Sequence, residues 1–503
     1  MGKWIFGATL ALALAASPSA GAFCGFYVAQ SDKALTNDAS MVVMMRAGTR
    51  TVLSMQNDYA GPPEDFAMVV PVPVVLHEEN VKTLPHEIFA HVDLLDSPRL
   101  VEYWEQDPCP SYEDYDADNK EGGTGTRAKG EAGSMGNPNT SRMRALVTIE
   151  AKFAVGEYDI VILAATDSLA LDAWLHQNGY HIPAGTADVL RPYVAAGSLF
   201  FVAKVDTHKV QFSGGRASLS PLRFHYDADR FSLPVRLGLL NSSGNQDLVV
   251  HILASQRYDV ANYPRATIPT NLELDESVEH RFPELYAALF DRTIEKNPRA
   301  VVTEYSWSSS SCDPCPSPTL SSSELNVLGA DVLPKSNQLP SVLTRLHTRY
   351  SKDTLGDDLV FVPVGAIEGG RGEPPNRTDA APTPGDNNFQ GRYIVRHPWK
   401  GPMACASPQR GNWGGPPASN SRPVLPPRVR EPGVARGKLD LAASLRTDAS
   451  AVGVVHTAPA VATAASAPPT GGRFRVGMTF GLLLGIAMAT GITARARRRD
   501  PSR

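Results

Sequence analysis

The chain has 503 residues, 48 lysines and arginines against 52 aspartates and glutamates, and a formal net charge of −4. That near-neutral balance, with no basic stripe interleaved with aromatics, argues against a nucleic-acid partner. The length suffices for one large core or two modest ones.

Residues 1–22, MGKWIFGATLALALAASPSAGA, place one positive charge at Lys3 before an apolar run from Trp4 to Ala16. Ala20, Gly21 and Ala22 then supply the small-x-small pattern of a secretory signal peptide, predicting export and cleavage after Ala22. Cys24 raises lipidation as an alternative, but Phe23 is bulky where that processing wants a small residue. An extracytoplasmic α+β domain is expected over 23–411, rich in strands with several interspersed helices.

Within it, MVVMM and TVLSMQ flank a turn at Gly48 and read as a hairpin. FAMVVPVPVVL reads as a strand that Pro71 and Pro73 confine to a sheet edge or a strand end. SPRLVEYWEQ reads as a helix, capped by Ser97 with Pro98 at its first position. Residues 116–142 are polar and glycine-rich and read as a disordered surface loop. ALVTIEAKFAVGEYDIVILAA predicts a strand pair hinged near Gly156, and DSLALDAWLHQNGY a helix between Asp167 and Gly179. SLFFVAKV, PLRFHYD, PVRLGLLN and DLVVHILA read as strands, SVEHRFPELYAALFDRTIEK as a helix, and AVVTEYSW as a strand.

From 412 to 475 alanine, proline, serine, glycine and threonine dominate, too little apolar surface to offset ordering entropy, so the stretch reads as a tether. Residues 476–493 are uncharged and would span about 27 Å as a helix, enough to cross a bilayer. Arg495, Arg497, Arg498 and Arg499 follow in the 494–503 tail and mark its cytoplasmic side. The expectation is a single-pass cell-membrane protein whose lipid partner meets 476–493. The rival is a C-terminal sorting signal, which Arg473 and Arg475 fit poorly.

Several motifs in order carry a resemblance: NDYAGPPEDFAMVVPVP, VGEYDIVIL, LDAWLHQNGYHIP, RPYVAAGSLFFVAKV, ASLSPLRFHYD and VVTEYSW. They resemble the bacterial family known as domain of unknown function 2330, over roughly 23–310. LTRLHTRYSKDTLGDDLVF and the stretch around WKGPMACASPQRGNWGGPP are similar to an extension found in some members. The resemblance implies an exported, often membrane-anchored protein and brings no established activity with it.

Five cysteines, Cys24, Cys109, Cys312, Cys315 and Cys405, would meet an oxidising compartment, where structural disulfides are the default. Cys109 and Cys315 both sit in the tetrapeptide D-P-C-P, with Cys312 just before the second copy, which suggests a bridge from Cys109 to Cys312 or Cys315. Such a bridge would close about two hundred residues, a stabilisation of a few kcal/mol by loop entropy. A redox C-x-x-C wants a helix N-terminus, and Pro314, Pro316 and Pro318 are hostile to one. Zinc would need a second pair at short spacing.

Other motifs lack their context. His86 and His91 in HEIFAH are five apart and diverge on a helix, so surface histidines are expected there. Asp114, Asp116 and Asp118 alternate as in a calcium loop, but Asn119 and Gly125 stand where Gly and Glu are needed. GGTGTRA has no strand before it and no Lys-Ser/Thr after it. Trp174, Tyr180 and Tyr193 are the candidates for exposed aromatics, and Trp174, on an amphipathic helix with Leu169, Leu171 and Leu175, is expected to pack in the core instead. No catalytic, cofactor-binding or metal residue is assigned. The function expected is a non-catalytic binding or scaffolding ectodomain at the envelope, its ligand or partner unidentified. The alternatives are an envelope hydrolase with a dispersed site, or thiol–disulfide chemistry at Cys312 and Cys315.

Overall fold

The computed structural model describes residues 26–29, 39–56, 58–60, 66–109, 146–180, 182–183, 185–213, 216–242, 244–334, 340–370, 381–383, 385–416, 439–446 and 452. The main elements, in chain order, are β1 (Phe26–Ala29), β2 (Ala39–Ala47), β3 (Arg50–Met55), β4 (Phe66–Val72), α1 (Glu87–Asp96) and β5 (Arg99–Glu105). After the undescribed 110–145 come β6 (Val147–Val155), β7 (Tyr158–Ala165), α2 (Ser168–Gln177), α3 (Thr186–Ala195), β8 (Leu199–Val205), β9 (Leu222–Asp227) and β10 (Gln246–Ala254). The last are α4 (Phe282–Lys296), β11 (Val301–Ser308), α5 (Ser322–Leu328), β12 (Val342–Tyr350) and β13 (Arg392–His397). This is the strand-rich α+β body that the apolar runs imply.

Two sheets face each other. One has five antiparallel strands in the order β1-β4-β8-β7-β6. The other has eleven, with β11-β12-β10-β2-β3-β9 across its middle; β10 and β2 run parallel, and the other neighbours in that run are antiparallel. Val42, Met44, Leu53 and Leu248 of the large sheet pack on Met68, Val70, Ile160, Ile162 and Phe201 of the small one. The outer face of the small sheet is covered by Leu171, Leu175 and Leu190 of α2 and α3. On the outer face of the large sheet, Met41, Val43, Met45 and Val52 meet Ile88, Phe89, Val92 and Leu95 of α1 and Leu328 of α5. A strand buried on both faces needs apolar side chains at every position, and MVVMM is such a run.

Local chemistry explains the ends of several elements. Gly48 turns the β2–β3 hairpin and Gly156 the β6–β7 hairpin, at φ +58° and +59°. The Asp167 carboxylate accepts from Ala170 N at 2.9 Å and caps α2, and Gly179 follows that helix at φ +85°. Pro71 sits next to the last residue of β4, past the end of β1, where its missing N–H costs no ladder bond to that neighbour.

Two expected elements differ. SPRLVEYWEQ is not a helix: α1 is already complete at Asp96, Ser97 ends it by donating to Asp93 Oδ1 at 3.0 Å, and Arg99–Glu105 is strand β5. Its β-branched and aromatic residues pair in parallel with β13, and that tertiary partner outweighs the proline-start signal. PVRLGLLN is not a strand but a short 3-10 helix, Arg236–Asn241; Pro234 and Gly238 suit such a segment better than a ladder.

A third, four-stranded sheet places Leu272–Leu274 and β5 either side of β13, with Trp413–Gly414 pairing beyond β5. Its Leu100, Tyr393 and Val395 pack on Phe282 and Leu285 of α4, and Leu441 of the short helix Leu441–Ser444 joins that core. Trp413–Gly414 and 439–446 lie in the stretch read as a tether. No described helix is long and apolar enough to cross a membrane. Residues 1–22, 116–142, 476–493 and Arg495, Arg497, Arg498 and Arg499 lie outside the described residues, as does Cys24.

Candidate functional site

The densest chemistry lies under α1 and α4, on the outer face of the large sheet. Strand pairing sets a row of neighbours there: Asp247 opposite Arg349, Val249 opposite His347, His251 opposite Arg345. Arg345, His347 and Arg349 share that face because side chains alternate along β12. Arg345 donates through Nη1 to Asp93 Oδ1 at 2.6 Å and Asp96 Oδ1 at 3.1 Å, and through Nε to Glu304 Oε2 at 2.7 Å. The register of β11 shifts between Thr303 and Tyr305, at Glu304. That carboxylate also accepts from the Tyr286 hydroxyl of α4 and lies 3.1 Å from His347 Nδ1. Arg349 binds Asp247 with both Nε (2.6 Å) and Nη2 (3.0 Å) and pairs with Asp291 as well. His251 Nδ1 is 2.6 Å from Asp96 Oδ2.

Burial by itself would raise the Glu304 carboxyl, but His347, Arg345 and Tyr286 outweigh it and hold the group down at about 2. Burial by itself would lower the His347 imidazole; Glu304 and Asp247 outweigh it, so His347 is raised and favours its charged form. Each of Asp93, Asp96, Asp247, His251, Glu304, Arg345 and His347 is at most 5% exposed. A substrate has no approach to such groups. Their work is to lock α1, α4 and the sheet in one register, the use for which perturbed groups of this kind are also found.

A cleft of about 360 Å³ opens elsewhere, lined by Pro71, Pro73, Tyr193, Tyr226, Arg230 and Arg236 among others. Its acid is committed: Asp358 Oδ1 accepts from the Tyr193 hydroxyl and from Val235 N, both at 2.8 Å. Arg236 pairs with Asp357 at 2.6 Å. Burial pushes the Tyr226 hydroxyl up to about 12, far from a proton-transfer role near neutrality.

The exposed chemistry is apolar. Among the described residues, Leu146, Ile149, Leu169 and Met403 are the large hydrophobic side chains that stand open to solvent. Three of the four lie on adjoining elements: Ile149 on β6, Leu146 just before it, and Leu169 in the first turn of α2, which follows β7. Leu146 O accepts from Thr166 N at 3.1 Å, which ties the two segments. β6 is the outer strand of its sheet, so one row of its backbone groups has no neighbouring strand among the described residues.

Residues 18–362 match the bacterial family described as "Uncharacterized protein conserved in bacteria (DUF2330)". The chain belongs to that family. No curated protein and no solved structure matches it. The DUF2330 match runs past residue 310, so LTRLHTRYSKDTLGDDLVF is part of the family domain and not an extension to it. The fold gives the reason: β12 lies between β11 and β10 in the middle of the large sheet, and the domain cannot close without it.

The cysteines of this DUF2330 chain pair differently from the sequence expectation. Cys109 is bonded to Cys405, Cα atoms 5.5 Å apart, and Cys312 to Cys315. β5 and β13 run parallel and in register, so the segments that follow them, carrying Cys109 and Cys405, emerge at the same end. The repeated D-P-C-P tetrapeptide carried no such information about the fold. The stretch 309–320 holds turns and no helix, as its prolines imply. Arg99 Nη1 donates to Pro314 O at 2.8 Å and Gln390 Nε2 to Asp313 O, and both pin the loop to the domain. Of the remaining candidates, His91 Nδ1 is 2.5 Å from Glu324, while His86 precedes the first turn of α1. Tyr180 and Tyr193 are buried and Trp174 packs against their cluster. The Asp114–Asp118 and GGTGTRA segments lie outside the described residues.

Sequence reading missed the ionic cluster. Its one linear trace is R-L-H-T-R at 345–349, three cationic side chains at a period of two inside a strand. Their carboxylate partners come from four other segments, and no spacing rule joins them.

Proposed function

We propose that this chain is an exported protein, anchored in the cell membrane by residues 476–493, whose DUF2330 domain is a non-catalytic binding module at the bacterial envelope. The observation that carries the binding half is the exposed apolar edge of Leu146, Ile149 and Leu169 beside the open strand β6. An apolar patch next to an outer strand suits an extended segment of a partner protein, which would add as a further strand. The strongly shifted titratable groups under α1 and α4, by contrast, are all spent on one another. The leader-like 1–22 and the basic residues after 476–493 support the envelope address.

The test is photo-crosslinking in intact cells, with the reactive residue at position 149 or 169 of the full chain and a control at the exposed Lys352. A discrete adduct from the first two positions is expected, with the adduct from position 149 lost when Leu169→Glu is added. Equal adducts from all three positions, or none, would defeat the binding reading. Membrane fractionation with and without 476–503 tests the anchor separately.

A second reading has one observation in its favour. Cys312 and Cys315 are bonded to each other, and Cys315 is exposed. Thiol–disulfide exchange at this pair would require it to be reducible under mild conditions in the folded protein.

A further inference from the structure

Two clusters among the described residues bring histidine and carboxylate ligand atoms within 4.8 Å of one another, and they differ in one respect. In Asp93, Asp96 and His251, the Arg345 guanidinium already stands between the carboxylates, at 2.6 and 3.1 Å. In Glu102, Glu279 and His397, neither carboxylate has a lysine or arginine partner among the described residues. Glu102 meets His397 Nε2 at 2.9 Å, and Glu279 has only the exposed His280 at 3.8 Å. We propose that Glu102, Glu279 and His397 bind one divalent first-row transition ion of the Zn²⁺ or Mn²⁺ class.

Three separate stretches of chain build the cluster. β5 and β13 run parallel with Glu102 opposite Val395 and Trp104 opposite His397, so these four share one face of the sheet. Val395 packs in the same core as Val278 and Phe282, and Val278 lies in the 3-10 segment Glu276–Arg281 that carries Glu279. Trp104 stacks on the His397 ring with centroids 4.8 Å apart, which fixes the imidazole plane before any ion arrives. The Cys109–Cys405 bridge ties the segments that follow both strands. Side-chain exposures of 13% for Glu102, 19% for His397 and 28% for Glu279 leave an entry path and room for water at remaining positions.

The donor set selects the ion. One imidazole and two carboxylates match Zn²⁺ with three protein ligands and a water, or Mn²⁺ with more waters. Ca²⁺ and Mg²⁺ prefer oxygen alone. A divalent charge also balances the two carboxylates.

The test is titration of the EDTA-stripped, full-length protein with ZnCl₂ and with MnCl₂ by calorimetry, with bound metal counted by mass spectrometry. One ion per chain is expected, with affinity lowered roughly tenfold or more in both Glu279→Gln and His397→Gln. The metal-free melting temperature of each variant, compared with wild type, shows that the fold persists. His91→Gln, which removes a histidine–carboxylate contact elsewhere, should bind as wild type does. Failure of both ions to bind at one per chain, binding unchanged in both site variants, or equal loss in His91→Gln would overturn the assignment.

Discussion

Arg345 donates to Glu304 at 2.7 Å from the adjacent strand, and both side chains are sealed from solvent, at 1% and 0% exposure. Neither charge could be buried alone: an isolated ion in a protein interior costs several kcal/mol, and the penalty is offset here only because each is matched. Arg345 additionally holds Asp93 and Asp96 of α1, so one guanidinium joins the helix to two strands of the sheet.

Removing that guanidinium while leaving its partners should therefore cost far more than lost packing. Arg345→Met keeps most of the apolar bulk and strands three carboxylates in the interior. A loss of about 3–5 kcal/mol is expected, read as a fall in the urea midpoint of unfolding. A loss under about 1 kcal/mol would mean that water reaches the cluster.

The same cluster sets a pH window. Glu304 is held down at about 2 against an ordinary value of 4.5, so its contribution is complete above 4.5 and fades as the pH falls towards 2. His347 is raised above its ordinary 6.5, so its contribution is complete below that value and is lost as the pH rises through the raised one. Stability should peak between about pH 4.5 and 6.5 and decline on both sides. Melting temperature against pH reads this directly, and His347→Gln should remove the alkaline limb and weaken the acid one without abolishing it, because Arg345 and Tyr286 still hold Glu304 down.

The two disulfides should separate just as clearly. Cys109–Cys405 spans 296 residues of sequence and Cys312–Cys315 only three. By loop entropy, breaking the first should cost about 5 kcal/mol and the second about 2 or less. Paired serine substitutions with urea unfolding measure both losses, and non-reducing peptide mapping identifies the bridges. A Cys109–Cys312 peptide would contradict the parallel pairing of β5 with β13.

Local signals were legible where one short segment settles the outcome. Gly48 and Gly156 mark their hairpins, Asp167 caps its helix, and the unbroken MVVMM run implies a strand covered on both faces. Arg99–Glu105 was misread because Ser97-Pro98 also looks like a helix start, and only the distant β13 makes the segment a strand. The ionic cluster, the Cys109–Cys405 bridge and the Glu102–Glu279–His397 group share that property. Each is assembled by strand pairing and helix packing between segments distant in sequence, which periodicity within a window does not encode.

Two glycines with similar sequence signatures should respond differently to alanine. Gly48 turns its hairpin at φ +58°, and a Cβ there would meet nothing within 4 Å. Gly48→Ala therefore bears only the left-handed backbone cost, about 1–2 kcal/mol. Gly329 closes α5 at φ +130°, its N–H bonded to Leu325 O at 3.0 Å, and a Cβ would lie 2.6 Å from Val52 Cγ1. Val52 is fully buried on β3 beneath that helix and has no room to retreat. Gly329→Ala should therefore add an overpacking cost of about 1–3 kcal/mol to the backbone strain. In urea unfolding, Gly329→Ala should lose clearly more than Gly48→Ala, and combining it with Val52→Ala should recover part of the difference by vacating the contact. Equal losses for the two glycines, with no recovery in the double variant, would mean that α5 does not sit against β3 as described.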